Sequence, residues 1–359
     1  MAYTNLSKKL AVALVVLLAI ASIHTIAARE LVDAAAMAAR HERWMARHGR
    51  AYADHAEKAR RLAVFRDNVA FIDSVNAAAA NGRHKLWLEE NRFADLTNAE
   101  FRAERTGLIS PSRGGNGGAP TTPFRYANVN AGDLPVSLDW RSKGAVIPVK
   151  DQGNCGSCWA FSAVAAMEGA VKLTSGKLVS LSEQELVSCD VDGEDQGCSG
   201  GLMDDAFKFI INNGGLATES DYPYTANDDT CNITASYADF TAAEAATITG
   251  YEDVPANDET ALLKAVANQP VSVAVAGGDR HFQFYKGGII SGAAGCGTEL
   301  DHAITAVGYG VASDGTKYWL MKNSWGTSWG EDGYVRLERD VKDKQGVCGL
   351  AKMPSYPTA

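Results

Sequence analysis

The chain has 359 residues, is 46% hydrophobic and carries a formal net charge of −9. That length allows about two domains with cores of their own. From Arg29 to Asp133 the sequence holds 16 Lys and Arg against 13 Asp and Glu (+3), and from Leu134 to Ala359 it holds 16 against 30 (−14). An acidic body without a basic stripe excludes nucleic-acid binding. A basic front piece beside it predicts a mutual attraction that weakens as carboxylates protonate.

Lys8-Lys9 precede the apolar run from Leu10 to Ile23, and small residues follow at Ala27-Ala28. This is the layout of a secretory signal peptide over residues 1–28. This fourteen-residue run, apolar but for Ser22, is short for a membrane span. No stable membrane association is therefore expected after its removal, a retained signal anchor being the alternative.

Glu57, Arg61, Phe65, Asn68, Ile72 and Asn76 then recur at steps of four, four, three, four and four, on one stripe of a long helix. The stripe mixes Glu, Arg and Asn with Phe and Ile, where a plain core-facing helix would use apolar residues. A second segment, Asn91-Arg-Phe93-Ala-Asp95, follows it, and Pro111 to Pro120 reads as a glycine-rich flexible linker.

Three fragments carry the chemistry: Gln152-Gly-Asn-Cys-Gly-Ser-Cys158-Trp159-Ala-Phe-Ser162, Asp301-His302, and Asn323-Ser-Trp325-Gly. A thiol attacks only as its thiolate. The run from Cys158 to about Thr174 is rich in helix formers, and Gly156-Ser157 suits a cap before it. Cys158 would then lie on a first turn, where the dipole favours a negative sulfur. His302 is the candidate imidazolium, and Asn323 the residue that orients its ring. Gln152 and the Cys158 backbone N–H are the candidate donors to a developing oxyanion. Two other readings exist for Cys155-Gly-Ser-Cys158: a dithiol redox pair or half of a zinc site. A second paired Cys or His motif for zinc does not follow.

All seven cysteines, Cys155, Cys158, Cys189, Cys198, Cys231, Cys296 and Cys348, lie beyond residue 150. Export favours pairing, and an odd count leaves one free thiol, though sequence alone does not fix the partners. Asn232-Ile-Thr234 is a glycosylation sequon.

After the Cys158 helix, Ser182-Glu-Gln-Glu185 reads as a capping box opening a short helix. Leu202 to Asn213 reads as another, stopped by Gly214-Gly215. From about Thr247 the pattern is mainly strand-like: Val271 to Val275, His302 to Tyr309, Lys317 to Lys322 and Gly333 to Glu338, with a helix over Asp258 to Asn268. Cys158 thus belongs to one half, His302 and Asn323 to the other, and a cleft between the halves is the expected site.

These fragments resemble the papain and cathepsin L family, whose local signature is Cys-Gly-[Ser/Ala]-Cys-[Trp/Tyr] with His and Asn far downstream. Here they follow Cys158 by 302 − 158 = 144 and 323 − 158 = 165 residues. The second separation is a little long, and the turn-like 311–317 segment accounts for it. The helical stripe and Asn91, Phe93 and Asp95 resemble the family's inhibitory prodomain motifs, except that Glu89 stands where a glycine is usual.

The resemblance implies an α+β, two-lobed fold, with a helical left lobe and a β-barrel-like right lobe behind a helical prodomain. Its boundaries would be signal peptide 1–28, prodomain and linker 29–133, and mature peptidase 134–359, divided at 246/247. It implies the pairs Cys155 with Cys198, Cys189 with Cys231 and Cys296 with Cys348, leaving Cys158 free. It implies an endopeptidase whose Cys158 attacks the peptide carbonyl and whose His302 protonates the leaving amine, with no metal or cofactor. Trp325 would cover the Asn323–His302 contact. Gly200-Gly201 resembles the wall that pairs with extended substrate, and Asp301 is a further substrate-binding residue that the resemblance implies. Leu202, Met203, Ala274, Leu300 and Met353 would line an apolar second pocket that accepts Leu, Val or Phe. The expected partners are protein and peptide substrates, the chain's own prodomain and cystatin-type inhibitors. A monomer is expected, in the vacuole or lysosome, with the extracellular space as the other destination. A catalytically silent binder on the same fold and the dithiol oxidoreductase remain as alternatives.

Overall fold

The computed structural model describes residues 32–109, 124–232, 246–292 and 296–359. The expected signal peptide, the 111–120 linker, and Ile233 and Thr234 of the sequon lie outside these residues. The chain divides into two compact units, Met1–Val69 and Ala70–Ala359.

In the first unit, α1 (32–48) and the start of α2 (His55–Ala80) are joined by aromatic packing. Trp44 and Phe65 are fully buried with ring centroids 5.3 Å apart, and His41 lies 5.0 Å from Phe65. Glu57 and Arg61, one turn apart, pair at 2.7 Å. Of the mixed stripe, Phe65, Asn68 and Ile72 are buried.

In the second unit Asn76 explains a polar residue on that stripe. Its side chain donates to the Leu88 carbonyl and accepts from the Leu88 N–H, both at 2.9 Å, in the manner of a neighbouring strand. Leu88 ends β1 (Lys85–Leu88). Glu89 needs no glycine-like backbone: it is absent from the positive-φ residues, its N–H donates to the Phe284 carbonyl, and its carboxylate meets Lys286 at 3.2 Å. α3 (Asn98–Arg105) opens on a reciprocal capping box between Thr97 and Glu100.

Beyond β2 (Leu138–Asp139) comes α4 (Cys158–Ser175), ended by Gly176 in the left-handed conformation at φ 77°. Ser157 does not cap it through its side chain, because its hydroxyl is 2.7 Å from Tyr224 Oη. α5 (Glu183–Cys189) is capped by Ser182, but the reciprocal half of the expected box is missing. The Glu185 carboxylate instead accepts from Asn213 Nδ2 at 2.8 Å and the Ala217 N–H at 2.7 Å. α6 (Met203–Asn213) stops at left-handed Gly214.

β3 (Gly250–Asp253) precedes α7 (Glu259–Val266), whose first N–H groups are taken by Asp258. Then come β4 (Val271–Val275), α8 (Arg280–Gln283), β5 (Tyr285–Ile290), β6 (His302–Val311), β7 (Lys317–Lys322), β8 (Tyr334–Glu338) and β9 (Ser355–Thr358). The strands order as β1-β5-β8-β7-β6-β4-β9-β3, with β2 added beside β6. The pairings are antiparallel except β5 with β8. Among the described residues the end strands β1 and β3 do not pair, so the sheet stays open and is not the closed barrel its lobe was expected to approach.

The helical core gathers along α4, which packs on β6. Ser162 Oγ donates to the Ile304 carbonyl at 2.7 Å, and Ser272 Oγ donates to the Ser162 carbonyl at 3.0 Å. These buried bonds fix the depth of the helix against β6 and β4. No helix among the described residues is long and apolar enough to cross a membrane.

Candidate active site

Cys158 is the first residue of α4 and the one free cysteine among the described residues. Cys155 is bonded to Cys198, Cys189 to Cys231 and Cys296 to Cys348. With Cys155 committed to Cys198, Cys155 and Cys158 are not available as a dithiol or as half of a zinc site.

His302 begins β6 and is paired in register with Val275. Its Nε2 lies 2.8 Å from Asn323 Oδ1, just beyond the end of β7, and both residues are buried. Trp325 stacks on the imidazole at a centroid distance of 4.5 Å and an angle of 25°, and is itself fully buried. Asn323 Oδ1 also accepts the Ser324 N–H at 2.8 Å, and Ser324 Oγ donates to Gln152 Oε1 at 2.6 Å. Ser324 therefore couples the residue that holds the ring to the glutamine beside the thiol. With Oε1 occupied, the Gln152 amide presents Nε2, which reaches the Cys155 carbonyl at 2.8 Å and the Arg105 carbonyl at 3.4 Å. The preceding loop is anchored by Lys150, whose ammonium meets Glu183 at 2.7 Å and Glu219 at 3.2 Å.

The electrostatics are those of a covered site. Burial pushes the Cys158 thiol up to about 12, against N–H groups of Ala303, Gly107 and Trp159 that favour the thiolate. Burial pushes His302 down to about 4, although the bond to Asn323 favours its charged form. Desolvation thus opposes charge on both residues, against the helix N-terminus that favours a thiolate.

What fills it is the segment after α3. The N–H groups of Gly107 and Leu108 both donate to the Asp301 carbonyl at 3.1 Å. On the other side the Gly201 N–H donates to the Gly107 carbonyl at 2.9 Å, and the Ile109 N–H to the Gly201 carbonyl at 3.3 Å. Residues 107–109 are thus a short strand clamped between Gly201 and Asp301. Gly200 has φ 122°, and a β-carbon there would lie 2.7 Å from the Gly107 carbonyl oxygen, so the bare backbone is needed for this approach.

Further contacts hold the segment down. Arg92 forks onto Asp151 at 2.6 and 2.9 Å. Asn91 Nδ2 reaches the Gln283 carbonyl at 2.6 Å, and Phe93 and Phe101 meet Trp325 edge-on at 6.2 and 5.2 Å. Arg102 meets Asp301 at 3.1 Å. Asp95 is buried in the same segment.

Leu202, Met203 and Ala274 belong to one buried apolar cluster that also takes in Leu108, with Leu300, Met353 and Ile109 packed at its margin. Asn232 is exposed, its N–H 3.3 Å from Tyr222 Oη. The residues that sequence reasoning missed are Arg102, Arg105, Gly107, Leu108 and Ser324. The Thr97-x-x-Glu100 capping box was the one local sign of structured chain so near the linker.

Residues 134–358 match the papain family cysteine proteases, and residues 41–101 match the cathepsin propeptide inhibitor domain. Over 336 residues the chain is 66% identical to the senescence-specific cysteine protease SAG39 of Oryza sativa subsp. indica, spanning 93% of this chain and 94% of that protein. It is 55% identical over 331 residues to the senescence-specific cysteine protease SAG12 of Arabidopsis thaliana, spanning 92% of each. The solved structure of a recombinant stem bromelain precursor is similar with a TM-score of 0.79 at 43% identity, over 90% of this chain and 98% of that one. The chain therefore belongs to the papain family of cysteine proteases, as a cysteine peptidase that carries its own inhibitory propeptide.

Proposed function

We propose that the chain is the secretory-pathway precursor of a cysteine endopeptidase, latent until acid lets it cut its own propeptide to leave a mature chain beginning near Leu134. The observation that carries this reading is the 107–109 strand between Gly201 and Asp301, which occupies the groove an extended substrate would need. Once that strand leaves, water re-enters, the penalty on charge falls, and the start of α4 favours a thiolate on Cys158 with His302 protonated. The Cys158 sulfur then bonds the scissile carbonyl carbon, the oxyanion is met by Gln152 Nε2 and the Cys158 N–H, and His302 gives its proton to the leaving amine. Water, deprotonated by the now neutral His302, attacks the thioester and releases the acid product, regenerating the thiol. Asn323 and Trp325 hold the ring throughout.

The second pocket, lined by Leu202, Met203, Ala274, Leu300 and Met353, is apolar and would select Leu, Val or Phe one residue before the cleaved residue. Peptides with Leu there should outperform those with Arg, and Met353→Glu should raise the rate with Arg. A native preference for Arg at that position would overturn the pocket assignment. The senescence-specific relatives support an acidic vacuole as destination, with lysosome-like or extracellular release as the other routes. Glycosylation at Asn232, a monomeric state and capture by cystatin-type inhibitors complete the proposal.

A further inference from the structure

Two arginines of the propeptide end on oxygens packed into four consecutive residues beside the nucleophile. Arg92 forks onto the Asp151 carboxylate at 2.6 and 2.9 Å. Arg105 reaches the Gly153 carbonyl, and the Asn154 Oδ1 at 2.5 Å. The Arg105 side chain is only 9% exposed, with its guanidinium 5.0 Å from the Phe93 ring centroid. Together Asp151, Gly153 and Asn154 present one carboxylate and two neutral acceptor oxygens to these guanidiniums. Burial pushes the Asp151 carboxyl up, but Arg92, the Gly153 N–H and the charge of Arg105 outweigh it and hold it below the usual range. The notch is built to take a cation, and the propeptide supplies two.

Its place in the groove follows from the direction of the chain. Gly107 lies against Gly156, two residues before the thiol, and the residues after it run along Gly201 toward the apolar cluster. Arg105 precedes Gly107 at the end of α3. Its carbonyl accepts from Trp325 Nε1 at 3.3 Å and Gln152 Nε2 at 3.4 Å. Asp151 itself bridges to Trp325, whose indole stacks on His302. The acyl half of a substrate belongs with the glycines and the apolar pocket, so the amine half belongs with His302, Trp325 and this notch.

We infer that Asp151, Gly153 and Asn154 form a leaving-side subsite in the mature enzyme that selects an Arg or Lys side chain within two residues after the scissile bond. The inference rests on the endopeptidase reading above. The propeptide's guanidiniums then hold the place of substrate cations, and their departure opens the subsite together with the nucleophile. In a cleft opened to water by the loss of the propeptide, a carboxylate of ordinary pKa is mostly ionised at about pH 5.

The test uses the acid-matured enzyme and internally quenched peptides with Leu in the second pocket and Arg, Ala or Glu at the first and second residues after the cleaved bond. A charge-assisted hydrogen bond of this kind should favour Arg over Ala in kcat/KM by about tenfold, with Glu below Ala. In Asp151→Asn the Arg-to-Ala ratio should fall toward one, and in Asp151→Glu, which keeps the charge, it should persist. An Arg-to-Ala ratio of one in the wild-type enzyme, or one that survives Asp151→Asn, would overturn the subsite. Failure to cut the Ala peptide as well would instead overturn the endopeptidase reading, and the subsite with it.

Discussion

The α-carbon of Gly107 faces the Gly156 carbonyl so closely that a β-carbon there would overlap it. Gly156 lies two residues before the nucleophile, and its own N–H is tied to the Cys198 carbonyl at 2.9 Å, so the wall cannot easily recede. Gly107→Ala should therefore lift the inhibitory strand while leaving the peptidase fold alone. The expected result is a precursor whose Cys158 reacts with iodoacetamide at neutral pH at least about tenfold faster than wild type, because a steric cost above ~1.4 kcal/mol shifts the closed population by that factor. Equal alkylation rates in the two precursors would mean that the contact does not control access.

Cysteine substitutions separate chemistry from folding. Cys158→Ala should abolish peptidase activity and keep all three disulfides, since the other six cysteines are bonded to one another. Cys155→Ala should expose a thiol on Cys198 and cost about 2 to 5 kcal/mol of stability. Thiol titration in denaturant and thermal melts distinguish the two. Equal activity loss with normal stability in both variants would revive the dithiol reading.

Elements whose local signals agree were legible in the sequence. α6 and α7 carry a cap or stop residue at the expected end, Gly214 and Asp258, and β7 lies where its apolar pattern placed it. The turn at 312–316 does join β6 to β7, closed by a bond from the Ala312 N–H to the Thr316 carbonyl at 2.8 Å. Non-local features were not legible. The extended strand at 107–109 is too short to show periodicity and is defined by Gly201 and Asp301, each far away in the chain. Glu185 read as half of a capping box, yet its carboxylate serves Asn213 and Ala217, which sequence spacing does not connect. The burial that disfavours charge on Cys158 and His302 is likewise recorded by no motif around either residue.

Stability should favour acid. The carboxyls of Asp190 and Asp195 face each other, and burial raises both, with neighbouring carboxylates adding to the effect. Burial likewise raises Glu185 to about 7, against the N–H groups of Ala217 and Asn213. A folded-state pKa raised above the unfolded value stabilises fully below the unfolded pKa, about 4 for carboxyls, and the gain is lost as pH rises through the folded value. The melting temperature should fall from about pH 5 to about pH 8. Asp195→Asn keeps an oxygen for the Leu202 N–H, now bonded at 2.7 Å, and gives Asp190 a donor. Its melting curve should depend less on pH, and a slope equal to wild type would remove this pair as the cause.

Acid activation should depend on which propeptide arginine is removed. Burial raises Asp301, with Arg102 and the N–H groups of Gly278 and Gly277 opposing the rise, so its carboxylate protonates early on acidification and frees Arg102. Asp151 is pushed up by burial but held below the usual range by Arg92, so that fork persists into stronger acid. Arg102 is 51% exposed, and its pair is worth about 0 to 1 kcal/mol. Arg102→Gln should therefore move the pH of half-maximal processing upward by less than about one unit. Arg92→Gln removes the bidentate pair and should yield a precursor that leaks activity at neutral pH as well. Cys158→Ala should remain full length throughout, because the chain supplies its own protease. The measurement is a pH series read by gel and N-terminal sequencing. Efficient maturation of pure Cys158→Ala precursor, or full activity of uncut wild-type precursor at neutral pH, would sink the account of latency.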